Sequence, residues 1–141
     1  MVKKKDTGDV FAMKTLRKDL ILDEKMTDLL RIERDILKMA DHPFLVNMSY
    51  VFQTEARVYF VMRFVRGGEL CRQLANAEGR RFPEDAVRFY VIQVALALGH
   101  LHNKDIVYRD LKTENILMDA DGYICVADFG LAKVLKGGEQ A

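Results

Sequence analysis

The fold of this chain is decided by one stretch of eight residues, Tyr108-Arg109-Asp110-Leu111-Lys112-Thr113-Glu114-Asn115. The stretch sets five ionisable side chains and an asparagine between two apolar segments, Ile106-Val107 and Ile116-Leu117-Met118. A solvated surface loop is the simplest interpretation of so polar a sequence. Flanks this apolar favour buried strands on both sides instead, so the polar groups between them would be held in fixed positions.

Two more polar residues end apolar segments elsewhere in the chain. Lys14 follows the run Val10-Phe11-Ala12-Met13, and Asp128-Phe129-Gly130 follows a further apolar strand. Each is a weak signal alone, because a lysine on a strand usually extends to solvent and a tripeptide recurs by chance. Their order and spacing around the central stretch are more specific, because several short motifs rarely occur together by chance.

The remaining pattern divides into a strand-rich first part and a helix-rich second part, with a break at Gly67-Gly68. Periodicity and turn signals predict a hairpin over residues 2–16, a helix over 23–39, strands over 50–54 and 57–65, helices over 69–77 and 82–103, and short strands at 106–107, 116–118 and 123–126. This order indicates an α+β fold with two lobes.

Both long helices carry an apolar stripe that should face the core. In the first helix the stripe consists of Met26, Leu29, Leu30, Ile36 and Leu37, with Glu33 beside it. In the second helix the predicted buried stripe consists of Val87, Tyr90, Val91, Val94, Leu98 and Leu101.

Composition excludes several classes of protein. The chain has 141 residues, and 22 Lys and Arg against 21 Asp and Glu give a formal net charge of +1. Such a balance indicates neither a nucleic-acid partner nor an anionic membrane surface. Cys71 and Cys125 show no metal-ligand spacing, the first residues lack the apolar stretch typical of a signal peptide, and no apolar run is long enough to span a membrane. We therefore expect a cytoplasmic or nuclear protein, and we predict no oligomer.

Taken together, the motifs resemble those of the eukaryotic protein kinases. Phe11-Ala12-Met13-Lys14 resembles the lysine motif of the third strand, residues 108–115 resemble the catalytic loop, and residues 128–130 resemble the metal-binding motif. Glu33, 19 positions after Lys14, matches the glutamate of the helix that follows. The resemblance implies a two-lobed protein-kinase fold.

Other segments narrow the resemblance to the group that contains the cyclic-nucleotide-dependent kinases and protein kinase C. These segments are Tyr108 in place of the usual His, His42 to Val46, Gly67 to Leu70, and Ala86 to Tyr90. Lys112, two residues after Asp110, follows the serine/threonine-kinase pattern. The resemblance covers residues 2 to about 135.

The resemblance implies roles in phosphoryl transfer, which needs positioning and charge neutralisation more than covalent chemistry. Lys14 would contact the α- and β-phosphates of ATP and would be held by an ion pair with Glu33. Asp128 would bind a Mg²⁺ ion that bridges the phosphates, and Asn115 would bind a second one.

Two further residues would act on the reacting groups. Asp110 would accept or orient the proton of the substrate hydroxyl, and Lys112 would steady the γ-phosphate as charge builds. A carboxylate between cations keeps a low pKa, so Asp110 is expected to be ionised at neutral pH.

The adenine site implied by the resemblance is apolar. Ala12 and Leu117 match its roof and floor, Met62 the gatekeeper, and Arg63 to Val65 the hinge, whose backbone would bind adenine despite the unusual Arg63. Glu69 matches a residue that contacts ribose or a substrate arginine. With Glu114, another acidic position, it suggests protein substrates with Arg or Lys before the target Ser or Thr.

The chain departs from the family pattern at both ends. No Gly-rich loop can be drawn, and only eleven residues follow Gly130, so we expect one truncated kinase domain, with residues 1–65 in a partial N-lobe and 66–141 in a partial C-lobe. Arg109 would normally pair with an activation-loop phosphate and is expected to lack a partner. Catalysis by this chain alone is expected to be impaired. The alternative function is a catalytically inactive, truncated kinase-like interaction module.

Overall fold

The computed structural model describes residues 1–20 and 24–135. The first lobe is a four-stranded antiparallel sheet with one long helix. Its elements are β1 (Val2–Lys3), β2 (Val10–Arg17), α1 (Glu24–Met39), β3 (Met48–Gln53) and β4 (Arg57–Arg63). The strand order is β1-β2-β4-β3, which makes β2 and β4 the central pair. This register sets Lys14 opposite Phe60.

The second lobe combines two further helices with short strands. Its elements are β5 (Gly68–Glu69), α2 (Leu70–Asn76), α3 (Glu84–His102), β6 (Ile106–Val107), β7 (Ile116–Met118), β8 (Ile124–Val126) and β9 (Lys133–Val134). Strands β5, β7 and β8 form one small sheet, and β6 pairs with β9. The prediction of an α+β fold with two lobes is confirmed. The division into residues 1–65 and 66–141 stays a prediction.

One hydrophobic core joins the two lobes. Ile36 and Leu37 of α1 pack in the same buried cluster as Leu101 of α3, Tyr108 and Phe129. Burial of large apolar side chains stabilises a fold by roughly 1.5–3 kcal/mol each, so this shared cluster holds the lobes together. The central polar stretch is therefore anchored in this core through Tyr108, its first residue.

The predicted buried stripe of α3 is partly wrong. Val87 and Val91 are 42% and 58% exposed, whereas Leu101 is fully buried. The helix is apolar on more than one side, so its periodicity alone cannot select the packed face. The packed face instead includes the buried Gln93, whose Oε1 accepts from Ile124 N at 2.9 Å and whose Nε2 donates to Phe89 O at 3.1 Å.

Smaller differences concern the first lobe. Strand β3 begins at Met48 because its pairing with β4 continues past an irregularity between Met48 and Tyr50. Strand β4 ends at Arg63, so residues 64 and 65 belong to the connection between the lobes. In α1, Met26 is exposed although Ile36 is buried. Residue 23, predicted to begin this helix, lies outside the described residues. None of the helices described is long and apolar enough to cross a membrane.

Candidate active site

A cleft of about 410 Å³ lies between the two lobes, a size typical of small-molecule sites. Nine of the residues selected from the sequence line it: Ala12, Lys14, Glu33, Met62, Arg63, Val65, Glu69, Leu117 and Asp128. They come from β2, α1, β4, the connection, β5, β7 and the segment after β8. The fold therefore collects residues that are distant in sequence around one cavity.

The inner half of the cleft is apolar. Val46 and Val65 form a buried cluster with Cys125, and Met62 and Leu117 pack against it. A flat, apolar ring system fits such a surface, with polar contacts left to the backbone of the connecting segment.

Charged groups meet at the other end of the cleft. Lys14 Nζ lies 2.7 Å from Glu33 Oε1 and 3.3 Å from Asp128 Oδ1. Burial alone would lower the pKa of Lys14, but the hydrogen bond and charge of Glu33, with the charge of Asp128, outweigh burial and raise the pKa. Lys14 is thus a fixed cation, suited to holding an anionic group.

The polar stretch after β6 forms a second cluster of charges. Lys112 Nζ donates to both carboxylate oxygens of Asp110, at 2.8 and 3.0 Å, and Asn115 Nδ2 donates to Asp110 Oδ2 at 2.7 Å. The hydrogen bond from Lys112 lowers the pKa of Asp110, with Asn115 adding to the effect, and Asp110 in turn raises the pKa of Lys112. Asp110 is therefore ionised at neutral pH, as expected.

The two clusters are held beside each other by the backbone. Ala127 N donates to Asn115 O at 2.8 Å, which puts the polar stretch next to Asp128. Tyr108 adds a second link, because its hydroxyl donates to Ala127 O at 2.5 Å. Burial raises the pKa of Tyr108, so the phenol stays protonated and keeps donating. Asp110, Lys112 and Asn115 do not line the cleft itself but lie next to the segment that carries Asp128.

Two residues of these clusters have left-handed backbone conformations. Arg109 has φ 64° and Asp128 has φ 57°, although neither is glycine. Such conformations cost about 1–3 kcal/mol each and persist only where the surroundings enforce them. Here the buried Tyr108 and Phe129, whose ring centroids are 5.7 Å apart, fix the neighbouring backbone.

The donor set at this end fits a hard divalent cation. Asp128 offers a carboxylate that is half exposed, and Asn115 offers an amide oxygen in a buried position. Across the described residues, no three His, Cys, Asp or Glu side chains form a group that could hold a metal alone. Mg²⁺ characteristically takes one or two protein ligands and completes its shell with phosphate oxygens and water. The two residues suit that mode.

Two predicted residues have partners that the sequence did not indicate. Glu69 Oε2 accepts from Arg72 Nε at 3.2 Å, so a cation of the same chain already neutralises this carboxylate. Arg109, expected to lack a partner, donates from Nε to Leu131 O at 2.8 Å. That expectation is wrong, because the segment after Asp128 folds back onto the polar stretch.

Several lining residues were missed by sequence reasoning. Val46, Ala127 and Arg72 face the cleft. Ala127 could have been found from its position before Asp128. Val46 lies outside the regular strands and carries no periodic signal, so only the three-dimensional fold assigns it to the site.

Comparisons with known proteins agree with this geometry. The family model described as protein kinase domain matches residues 1–141. Protein kinase 2 of Dictyostelium discoideum is 50% identical over 135 residues, which cover 96% of this chain and 28% of that protein.

Two further relatives show the same pattern of coverage. The RAC family serine/threonine-protein kinase homolog of Dictyostelium discoideum is 48% identical over 94% of this chain and 29% of its own length. Ribosomal protein S6 kinase alpha-2 of Homo sapiens is 47% identical over 94% of this chain and 18% of its own length. The chain thus spans less than a third of each of these relatives.

Proposed function

Because the chain belongs to the protein kinase family, we propose that it provides the nucleotide-binding and catalytic residues of a serine/threonine protein kinase. The observation that carries the proposal is the convergence of two charge clusters. Lys14, Glu33 and Asp128 meet at the cleft, and Asp110 pairs with Lys112 beside them. One cluster suits the phosphates of ATP, and the other suits the hydroxyl group that receives the phosphoryl group.

Binding of ATP would use both halves of the cleft. The adenine ring would lie between Ala12 and Leu117 and would bind backbone groups of residues 63–65. The phosphates would reach Lys14, whose position is fixed by the buried Glu33. An oriented lysine contributes to the rate because it loses no further freedom when the phosphates bind.

Asn115 and Asp128 would hold Mg²⁺ with the phosphates. Bound there, the ion neutralises phosphate charge as the reaction proceeds. The chain's own contribution is to keep the two oxygen donors adjacent through the Ala127–Asn115 backbone hydrogen bond.

Asp110 would act on the substrate hydroxyl. Its ionised carboxylate orients the hydroxyl and takes its proton, the substrate oxygen bonds to the γ-phosphorus, and the bond to the β-phosphate breaks to leave ADP. Lys112, already hydrogen-bonded to Asp110, would share its charge with the transferred group.

The acidic side chains near the cleft would select substrates with basic residues before the target Ser or Thr. Glu69 lines the cleft, and Glu114 lies exposed beside the catalytic stretch. Opposite charge at this edge would favour basic peptides over acidic ones. The Arg72 contact limits this preference, because it occupies one oxygen of Glu69.

The direct test is transfer of labelled γ-phosphate from ATP to Ser- and Thr-containing peptides. It should use the full-length product of the gene and, in parallel, the 141-residue chain. We expect Asp110→Asn to abolish transfer and Asp121→Asn, an exposed carboxylate in the turn after β7, to leave it unchanged. Equal activity of the Asp110→Asn variant and the wild type would contradict the proposal.

The alternative is a non-catalytic interaction module, and the same assay distinguishes it. Binding of Mg·ADP with no phosphate transfer by the full-length product would favour that function.

We also propose a location in the cytoplasm or nucleus, because neither Cys71 nor Cys125 forms a disulfide. Fluorescence microscopy of the tagged full-length protein tests the location.

A further inference from the structure

The unusual hinge residue Arg63 has a partner in the other lobe. Its Nη2 lies 3.3 Å from Oδ2 of Asp119, in the turn between β7 and β8 and 56 positions away. The Arg63 side chain is 45% exposed and that of Asp119 is 17% exposed. Arg63 ends the central strand β4, so the ion pair joins the sheet of the first lobe to the small sheet of the second.

Asp119 is held in place independently of Arg63. Its Oδ1 accepts from the amides of Asp121 and Tyr123, both at 3.0 Å, and its own amide donates to Tyr123 O at 2.8 Å. These bonds leave Oδ2 directed at the hinge. A preset carboxylate loses little freedom on pairing, which makes this contact more effective than an ordinary pair of mobile surface side chains.

The other end of the connection is attached to the same turn. Gly67 N donates to Met118 O at 2.8 Å, and a Cβ at Gly67 would lie 2.5 Å from that oxygen. Residues 63–67 therefore contact the Met118-Asp119 turn at both ends, through backbone at Gly67 and through side chains at Arg63.

We propose that the Arg63–Asp119 ion pair is a tether that sets the spacing of the two lobes across the nucleotide cleft. Met62, next to Arg63, and Leu117, two residues before Asp119, both line that cleft. A contact between their neighbours therefore links the parts of the cleft wall that the two lobes contribute. Arg63 is thus a positioning residue for the nucleotide. The tether goes beyond the proposed function. Only the measurement of nucleotide binding used to test the tether rests on that function.

A double-mutant cycle tests the tether. Arg63→Met removes the charge and keeps most of the bulk, and Asp119→Asn removes the charge and keeps the acceptor for the two turn amides. In the full-length product, we expect each single change to raise the Kd and the KM for nucleotide about two- to fivefold without changing kcat. The double variant should match the single ones, because both remove the same contact. Additive effects would overturn the proposal.

Arg66→Met is the matched control. Arg66 lies in the same connection, and among the described residues no ion pair to it is seen. Its loss should leave the nucleotide Kd unchanged. The advantage of wild type over Arg63→Met should also vanish near 1 M salt, where the screening length falls to about 3 Å. A difference that persists at high salt would contradict an electrostatic tether.

Hydrogen exchange at the Gly67 amide supplies a readout that needs no nucleotide. Loss of the tether should speed exchange in Arg63→Met and Asp119→Asn equally, and Arg66→Met should not change it. If wild type binds no Mg·ADP, the proposed function fails. The hydrogen-exchange rates of the variants still show whether the tether exists. If exchange is identical in all four proteins, the tether is refuted even where nucleotide binds.

Discussion

Lys14 and Glu33 form an ion pair of unequal burial: Nζ and Oε1 are 2.7 Å apart, and the side chains are 34% and 5% exposed. Both side chains line the cleft, but Glu33 lies buried on the packed face of α1, whereas Lys14 is partly exposed. Breaking the pair should therefore destabilise the fold mainly through Glu33, because a buried carboxylate without a partner is costly.

This asymmetry predicts that stability and nucleotide binding can be separated. Lys14→Met leaves Glu33 buried without its cation and should lower the free energy of unfolding by about 1–3 kcal/mol. Adding Glu33→Leu should recover most of that loss, while the affinity for Mg·ADP stays low in both variants. Urea denaturation and calorimetric binding measure the two quantities. A double variant no more stable than Lys14→Met would show that the unpaired carboxylate is not the cause.

The Lys112–Asp110 contact predicts a shift in the pH dependence of activity. The hydrogen bond from Lys112 is the main cause of the lowered pKa of Asp110. Removing it in Lys112→Met should raise that pKa, so Asp110 becomes protonated at a higher pH on acidification. The acid limb of the kcat/KM profile of the full-length product should therefore move to higher pH. Lys104→Met, an exposed lysine after α3, should leave the limb in place.

The Arg72–Glu69 contact predicts that the chain restrains its own selectivity. Arg72→Ala frees the Glu69 carboxylate and should increase the preference for peptides with upstream Arg over neutral peptides by about two- to fivefold. Arg72→Lys keeps a cation beside Glu69 and should preserve the original preference. A peptide array with the full-length product measures both. Unchanged selectivity in Arg72→Ala would show that Glu69 does not bind the basic residues.

The neighbouring rings of His42 and His100, with centroids 5.0 Å apart, predict a loss of stability in acid. Burial lowers the pKa of His42, and the charge of His100 lowers it further. The unfolded chain, with a pKa of about 6.5, then binds more protons than the folded chain, so the unfolding free energy falls as pH drops through that value.

Urea titrations at pH 7.5 and 5.5 measure this dependence. In His42→Asn, which can still accept the hydrogen bond from Phe44 N, the difference between the two pH values should shrink. The variant His102→Asn, at the exposed end of α3, should keep the wild-type difference. The same difference in all three proteins would show that His42 does not cause it.

The residues that meet at the cleft were predictable because their motifs are short segments in a fixed order along the chain. The resemblance to the protein kinases implied that Lys14 and Glu33 would pair, and the structure has that contact. Pairs such as Arg63–Asp119 and Glu69–Arg72 were not predictable, since any surface arginine has many acidic residues within reach in sequence. The packed face of α3 also required the fold, because its apolar residues extend around more than one side.

Two glycines are expected to respond in opposite ways to the same substitution, which isolates the close approach between the connection and strand β7. A Cβ at Gly67 would lie 2.5 Å from Met118 O, a backbone atom that cannot move aside, so Gly67→Ala should destabilise the fold by about 1–3 kcal/mol. A Cβ at Gly99, inside α3, meets no atom within 4 Å, so Gly99→Ala should stabilise it by about 0.5–1 kcal/mol. Urea denaturation compares them. Equal effects of both changes would mean that backbone entropy, and not the contact with Met118, determines the response at Gly67.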